Sequence, residues 1–426
     1  MTHPVLRLPW RDPLAAFAPL SGQAHALLLH DGRQGRARIF AAPDAVFEGA
    51  GRAAFEALAA SARETDGLHA GLFGYDLAAA FERLPHLDPR WPPQVVGRYP
   101  VWARFDRETD GLDVFAPDRA AAEAFVDQLG DGLEPPDARP AAPASWSPRW
   151  SLETYLAAAR QAKAYIRAGD VFQVNLSQGF DADLAPEETP FGVFSRLCAQ
   201  SPAPHAAYFR LDDDRVVMTN SPERFVEVAD GVVEARPIKG TRPRHADPAR
   251  DADLAAELTA SAKDRAENLM IVDLMRNDLS RVCAAGSVKV PRLCDVETYT
   301  NVHHLVSVVT GALAPGRDVY DVLEAAFPPG SITGAPKVRA MEIISELEAE
   351  PRGPYCGALG WIDGKRAMDL NVMIRTASLR RQADGHWRAS VRSGGGIVAD
   401  SEPEAEYAET LTKASALRRA LGGGHE

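Results

Sequence analysis

Val171-Phe172-Gln173-Val174-Asn175-Leu176-Ser177 alternates apolar Phe172, Val174 and Leu176 with polar Gln173, Asn175 and Ser177, the period of two that a half-buried strand requires. Just upstream, Ser151 precedes a segment in which Leu152, Tyr155, Leu156, Ala159, Ala162 and Ile166 recur at helical spacing until Gly169. A helix that hands over directly to a strand predicts a mixed α and β chain. The polar side of that strand is placed to border a cleft.

Outward from this point, residues 134–147 are rich in Pro and Ala and predict an extended connection. It divides the chain into an N-terminal part, 1–133, and a larger part, 148–426. The first part holds short apolar runs such as 26–29 and 72–75, broken by Gly and Pro, and offers no cluster of chemical groups. With 426 residues, 46% hydrophobic and 25% charged, the chain has ample material for a buried core. A formal charge of −12 argues against a nucleic-acid partner or an anionic membrane surface, while leaving room for a local basic pocket. Cys198, Cys283, Cys294 and Cys356 lie far apart, with no Cys-x-x-Cys, so neither a zinc site nor a disulfide framework is indicated and a reducing cytoplasm is expected. Neither a secretory h-region nor a membrane-spanning apolar run is expected.

The groups able to do chemistry lie in the larger part. Pro237-Ile238-Lys239-Gly240-Thr241 puts one amine in a Gly-containing turn between Arg236 and Arg242, and cationic neighbours favour a neutral, nucleophilic amine. A lysine that only solvates a surface turn is the alternative. Residues 261–274 read as a helix with Asp264 and Glu267 on one face. Ser401-Glu402-Pro403 starts another, presenting Glu402, Glu406, Glu409 and Lys413 as a stripe. Two facing acidic helices could hold Mg²⁺, which takes one or two carboxylates plus water and an anionic substrate; two solvated helix faces would carry the same pattern. Gly330-Ser331-Ile332-Thr333-Gly334-Ala335-Pro336-Lys337 leads into an amphipathic helix, so its backbone N–H groups and the helix dipole favour an anion, although the turn is not a Walker loop. Ser393-Gly394-Gly395-Gly396 allows either a close approach of backbone to ligand or a plain hinge.

From Trp146 onward these segments occur in order with Ser221-Pro222-Glu223-Arg224-Phe225, Lys263 to Asn268, Val302 to Ser307, and Glu406-Tyr407-Ala408-Glu409-Thr410, and together they resemble the chorismate-utilising enzymes. The resemblance implies an α+β fold of layered antiparallel β-sheets with outer helices, an interwoven N-terminal part, and an active site in a cleft. Large subunits of anthranilate synthase normally have alanine at the position of Lys239, so the lysine points to the branch that forms 4-amino-4-deoxychorismate; anthranilate synthase component I is the alternative, and a silent chorismate-binding scaffold is a third. Isochorismate synthases carry a basic lysine where Gln173 stands, and an amide cannot activate water as that base does.

The resemblance also implies roles for individual residues. Lys239 is the nucleophile and Glu223 the acid; Glu267 and Glu409, with Glu406 and Asp264, hold Mg²⁺. Thr241, His304, Ser331, Thr333, Gly334, Ala335, Tyr355, Arg375, Gly394, Gly395, Gly396 and Lys413 bind the substrate, chorismate. Ammonia is the second reactant, and the absence of a glutaminase constellation implies a glutamine amidotransferase subunit as partner. The segment Leu27-Leu28-Leu29-His30-Asp31 departs from the Leu-Leu-Glu-Ser-like segment of the tryptophan pocket in anthranilate synthases, so no tryptophan feedback is expected.

Overall fold

The computed structural model describes residues 3–423 except 33, 66, 86, 132–140, 143, 300, 301 and 365. The helix Leu152–Ala168 forms as its spacing predicts, with the Ser151 hydroxyl accepting from the Thr154 N–H at 3.2 Å and Gly169 as C-cap. The strand that follows runs Gln173–Asp183 and pairs antiparallel with Trp387–Ile397 from Val174↔Ile397 to Asp183↔Arg388. It starts one residue after Phe172, which is 72% exposed and takes no part in the core. Val174 and Leu176 pack against Tyr155, Ile343 and Ile344 from two outer helices, each such burial contributing about 2 kcal/mol.

The expected half-buried strand is in fact covered on both faces. Gln173 and Ser177 are fully buried and Asn175 nearly so. Buried polar groups need partners, and Glu348 supplies one by accepting from both the backbone N–H and the hydroxyl of Ser177 at 2.8 Å. Among the described residues the Gln173 side-chain amide finds no hydrogen-bond partner.

Among the described residues the strands form two sheets, antiparallel throughout. The 12-stranded sheet runs from Leu6–Pro9 at one edge through Leu27–Asp31, His205–Arg210, Arg215–Ser221, Thr376–Arg381, Trp387–Ile397 and Gln173–Asp183 to Gly334–Ala335 at the other. The 10-stranded sheet runs from Ile238–Pro243 through Val302–Ala312, Arg224–Ala229 and Ala358–Asp363 to Ala45–Gly49. Leu27 and Phe40 of the first sheet meet Leu72, Val95 and Leu359 of the second in a common apolar cluster, while helices such as Pro190–Gln200 and Ala262–Ser280 cover the outer faces. This is a layered α+β architecture. N-terminal strands enter both sheets: Leu27–Asp31 pairs with His205–Arg210, and Leu68–Phe73 with Ala358–Asp363. Most of the Pro/Ala connection at 134–147 lies outside the described residues; its last residue, Ser147, pairs with Asp181.

All four cysteines are free and buried. No helix among the described residues is long and apolar enough to cross a membrane.

Candidate active site

A cleft of about 410 Å³ opens where the Lys239 strand, the Gly330 turn, the glycine strand Trp387–Ile397 and two acidic helices converge. Lys239 reaches it because Gly240 adopts φ +82°, and a Cβ there would stand 2.8 Å from Leu258 Cδ1 and 2.9 Å from Asp264 Cβ. Any other residue at 240 would push the strand off the helix Ala262–Ser280. The Lys239 ammonium donates to the Ser331 carbonyl at 3.1 Å, and the Ser331 side chain hydrogen-bonds Glu223. One residue of the Gly330 turn therefore touches both groups.

The two groups are tuned toward each other. Burial lowers the Lys239 amine below its ordinary 10.5, Lys413 adds to this, and Glu267, Glu223 and Glu409 partly oppose it. Burial pushes the Glu223 carboxyl up from 4.5 to about 7, against the Ser331 hydrogen bond and the nearby Lys239. An amine held below its ordinary value beside a carboxyl raised to about 7 is the pairing that chemistry by a nucleophile and an acid would require. The flanking arginines do not produce this effect. Arg236 pairs with Glu297 and Glu234, and Arg242 pairs with Asp264 at 3.3 Å; alternation along the strand and these carboxylates leave the tuning to burial and Lys413.

The acidic helices do meet across the cleft, where Asp264 and Glu267 from one face Glu406 and Glu409 from the other. Burial raises Glu267, with Lys239 and Lys263 pulling down and the like charges of Asp264 and Glu406 pushing up. For Glu409, burial pushes upward but Lys413, Lys263 and Lys239 outweigh it and hold the carboxyl below its ordinary value. Lys413 pairs with Glu409 at 2.6 Å and donates to the Gly394 carbonyl at 3.1 Å. Ser401 is not the helix cap that its position suggests: Glu402 occupies the N-cap, and the Ser401 hydroxyl donates to Glu406 at 2.7 Å. A Cβ on Gly395 would lie 3.0 Å from Glu406 Oε2 and 3.9 Å from Glu409 Oε1, so glycine lets the strand approach the acids. Among the described residues no three His, Cys, Asp or Glu side chains form a metal cage on their own. The donor set is nonetheless all oxygen, and a hard cation that retains water and an anionic substrate needs only one or two carboxylates, so these residues fit Mg²⁺.

Thr241, His304, Ser331, Tyr355, Arg375, Gly394, Gly396 and Lys413 also line the cleft. Thr241 and His304 share a hydrogen bond at 2.9 Å. Arg375 holds φ +52°, a strained conformation for a bulky residue that functional sites tend to retain. Thr333, Gly334 and Ala335 stand behind the wall instead. Thr333 Oγ1 donates to the Gly330 carbonyl at 3.1 Å, and Gly334–Ala335 pairs with Gln173–Val174. Asn175, on the strand face expected to border a cleft, lines it, as do Arg242, Lys263 and Ser393 from segments the sequence marked, and Arg392 lines it without having been singled out. For Asn175 the signal was present in the polar face of its strand; for Arg392 it was the strand leading into the glycines.

A separate cavity of about 440 Å³ is bordered by Leu29, His30 and Asp31 from the N-terminal segment and by Arg38, Trp361, Arg224 and Asp369.

A two-sheet scaffold with a cleft lined by carboxylates, a half-buried lysine and glycine-rich turns is the frame of a known group. Residues 24–419 match the family described as chorismate binding enzyme, and the chain belongs to that family. Aminodeoxychorismate synthase component 1 of Klebsiella aerogenes is 41% identical over 454 aligned positions, covering 98% of each chain. The protein of the same name from Salmonella typhimurium is 40% identical, again over 98% of each. Anthranilate synthase component 1 of Streptomyces coelicolor is 39% identical over 82% of this chain and 72% of its own. Among solved structures, anthranilate synthase component I from Streptococcus pneumoniae TIGR4 superposes with a TM-score of 0.80 at 29% identity, covering 90% of this chain and 92% of that one. MenF, the menaquinone-specific isochorismate synthase from Escherichia coli, shares the fold with a TM-score of 0.77 at 18% identity, covering 98% and 95%.

Proposed function

We propose that this chain converts chorismate and ammonia to 4-amino-4-deoxychorismate, a reading supported by the name aminodeoxychorismate synthase component 1 of relatives matched over 98% of their length. The observation that carries this is the meeting of the Lys239 amine and the Glu223 carboxyl on Ser331, with the amine lowered and the acid raised to about 7. The neutral Lys239 amine adds to C2 of the ring. The C4 hydroxyl leaves as water with the proton held by Glu223. Ammonia then forms the bond at C4 as the C2–N bond breaks, so Lys239, an ammonium in the adduct, leaves as the neutral amine, and the new C4 ammonium gives one proton to solvent. Glu223 starts protonated again when it recovers a proton from solvent.

Glu267, Glu409, Glu406 and Asp264 are the side chains that would hold Mg²⁺, directly or through water. When bound, the cation supplies a Lewis acid for the ring carboxylate and draws electron density from the ring. Arg375 and Lys413 supply the cationic side chains for the substrate's carboxylates, Arg375 as a fork and Lys413 as a point charge. Tyr355, Thr241 and His304 shape the same wall, while Gly394 and Gly396 give backbone access. Thr333, Gly334, Ala335 and Gly395 act by supporting that backbone. The designation "component 1" of the relatives presupposes a second component, and we assign to it the release of ammonia from glutamine, in the cytoplasm.

The test is mass-resolved product analysis of the pure chain with chorismate, Mg²⁺ and ammonium at mildly alkaline pH, with aminodeoxychorismate lyase in a parallel tube. Aminodeoxychorismate, turned to p-aminobenzoate by the lyase, is the expected product. Anthranilate would overturn the proposal in favour of the neighbouring branch.

A further inference from the structure

Behind the reacting pair lies a buried guanidinium to which the reaction as described gives no role. Arg352 is 3% exposed. Its Nη1 donates to the Ile332 carbonyl at 3.2 Å. Nη2 donates to the Asn175 carbonyl at 2.8 Å and to the Asn175 side-chain oxygen at 3.3 Å. Nε and Nη2 form a fork on Glu348 at 3.0 and 2.6 Å, and the planar group lies 4.9 Å from the centre of the Tyr75 ring. The main chain is held as well, because Asp76 accepts the N–H groups of Arg352 and Gly353 at 3.2 and 2.9 Å.

These contacts divide into two kinds. The pair with Glu348 is a buried ion pair, of a sort that apolar residues can often replace without loss of stability. The contacts with Ile332 and Asn175 go to segments of the active site. Ile332 is bonded directly to Ser331, the residue that accepts from Lys239 and hydrogen-bonds Glu223. Asn175 lines the cleft, and its N–H donates to the Thr333 carbonyl at 2.7 Å, so it braces the other end of the same turn. A single rigid fork thus fixes both the turn that aims the reacting pair and the strand on which that turn rests.

We infer that Arg352 is a positioning residue for the Lys239–Glu223 pair, acting through the Ile332 carbonyl and Asn175. The inference rests on the assignment of that pair as nucleophile and acid. Lysine at 352 keeps the charge beside Glu348 but, as a point donor, cannot hold Ile332, Asn175 and Glu348 together. A displacement of about 1 Å at a reacting group costs about 10²-fold in rate.

The test compares Arg352→Lys with Glu348→Gln in the full chain, measuring melting temperature, kcat, chorismate KM and the pH profile of kcat. Glu348→Gln removes the charge opposite the guanidinium but leaves the guanidinium on Ile332 and Asn175, whereas Arg352→Lys keeps a charge beside Glu348 and gives up the fork that holds Ile332 and Asn175. Arg352→Lys is expected to lower kcat by about 10²-fold with KM close to wild type. Its alkaline limb should move to higher pH, because Glu223 loses a well-placed Ser331 hydrogen bond that favours the carboxylate. Glu348→Gln is expected to melt earlier yet retain its kcat below its melting temperature. An unchanged kcat in Arg352→Lys, losses in both variants that only follow melting temperature, or an Arg352→Lys chain that does not fold would each overturn the inference. A wild-type chain that makes no aminodeoxychorismate would instead overturn the assigned reaction, a result read in its own arm.

Discussion

Two cavities lined by charged groups are nearly equal in size, about 440 Å³ beside Arg38 and about 410 Å³ at Lys239, and their electrostatics differ. In the first, Arg224 forms a fork on Asp369 at 2.9 and 3.2 Å, Arg236 pairs with Glu297, and the Arg38 guanidinium lies 3.9 Å from the centre of the Trp361 ring. In the second, the hydrogen bond of Lys239 goes to a neutral carbonyl, and Glu223 is buried next to a hydroxyl and an amine. Charges satisfied by opposite charges stabilise the region around them. Charges buried with neutral partners remain ready to exchange protons, so volume alone would not have chosen between the cavities.

The largest effect that would break this contrast is at the nucleophile. Lys239→Ala is expected to lower kcat by about 10⁴-fold or more, measured as aminodeoxychorismate formed; full activity would remove the lysine from the mechanism. Glu223→Gln comes next, with a loss of about 10³-fold as the proton donor disappears. The wild-type rate should fall as pH rises through about 7, where Glu223 gives up its proton, and the glutamine variant should lack this limb. Stability follows the same group. Its folded value lies above the unfolded 4.5, so its contribution is fully present below pH 4.5 and is lost as pH rises through about 7. Denaturant titration at pH 8 should therefore find Glu223→Gln more stable than wild type by up to about 3 kcal/mol.

A smaller change sharpens the acidic side of the cleft. Glu409→Gln is expected to weaken Mg²⁺ binding about 10-fold in calorimetry with the protein alone, and unaltered binding would place the cation elsewhere. The smallest catalytic effect belongs to the other cavity. Arg38→Ala should leave kcat near wild type and cost about 1–2 kcal/mol in denaturant unfolding, the value of a desolvated cation–π contact.

Local patterns made a good part of this legible. The helix Leu152–Ala168 follows from its spacing and its cap, and the acidic residues 264, 267, 406 and 409 follow from helical periodicity. What periodicity cannot show is which elements meet. Gln173–Asp183 is covered on its polar face because Glu348, 171 positions from Ser177, reaches it. Arg352 holds Asn175 from 177 positions away. The same limit explains the two corrections in the anion turn and at Lys239: Gly334 and Ala335 are occupied in a strand pair, and Arg236 and Arg242 are neutralised by acids contributed by other segments, apart from Glu234. Ser401 is a further case, its hydroxyl drawn to Glu406 once that side chain is buried beside Gly395.

The central claim is that the amine of Lys239 itself bonds to the substrate. The most direct measurement is intact-protein and peptide mass spectrometry after rapid quenching of the chain with chorismate and Mg²⁺ in the absence of ammonium. The account predicts a species heavier by chorismate less one water, located on the peptide that contains Lys239 and missing from Lys239→Ala. A wild-type chain that turns over with ammonium yet never carries this mass, together with an active Lys239→Ala, would contradict it.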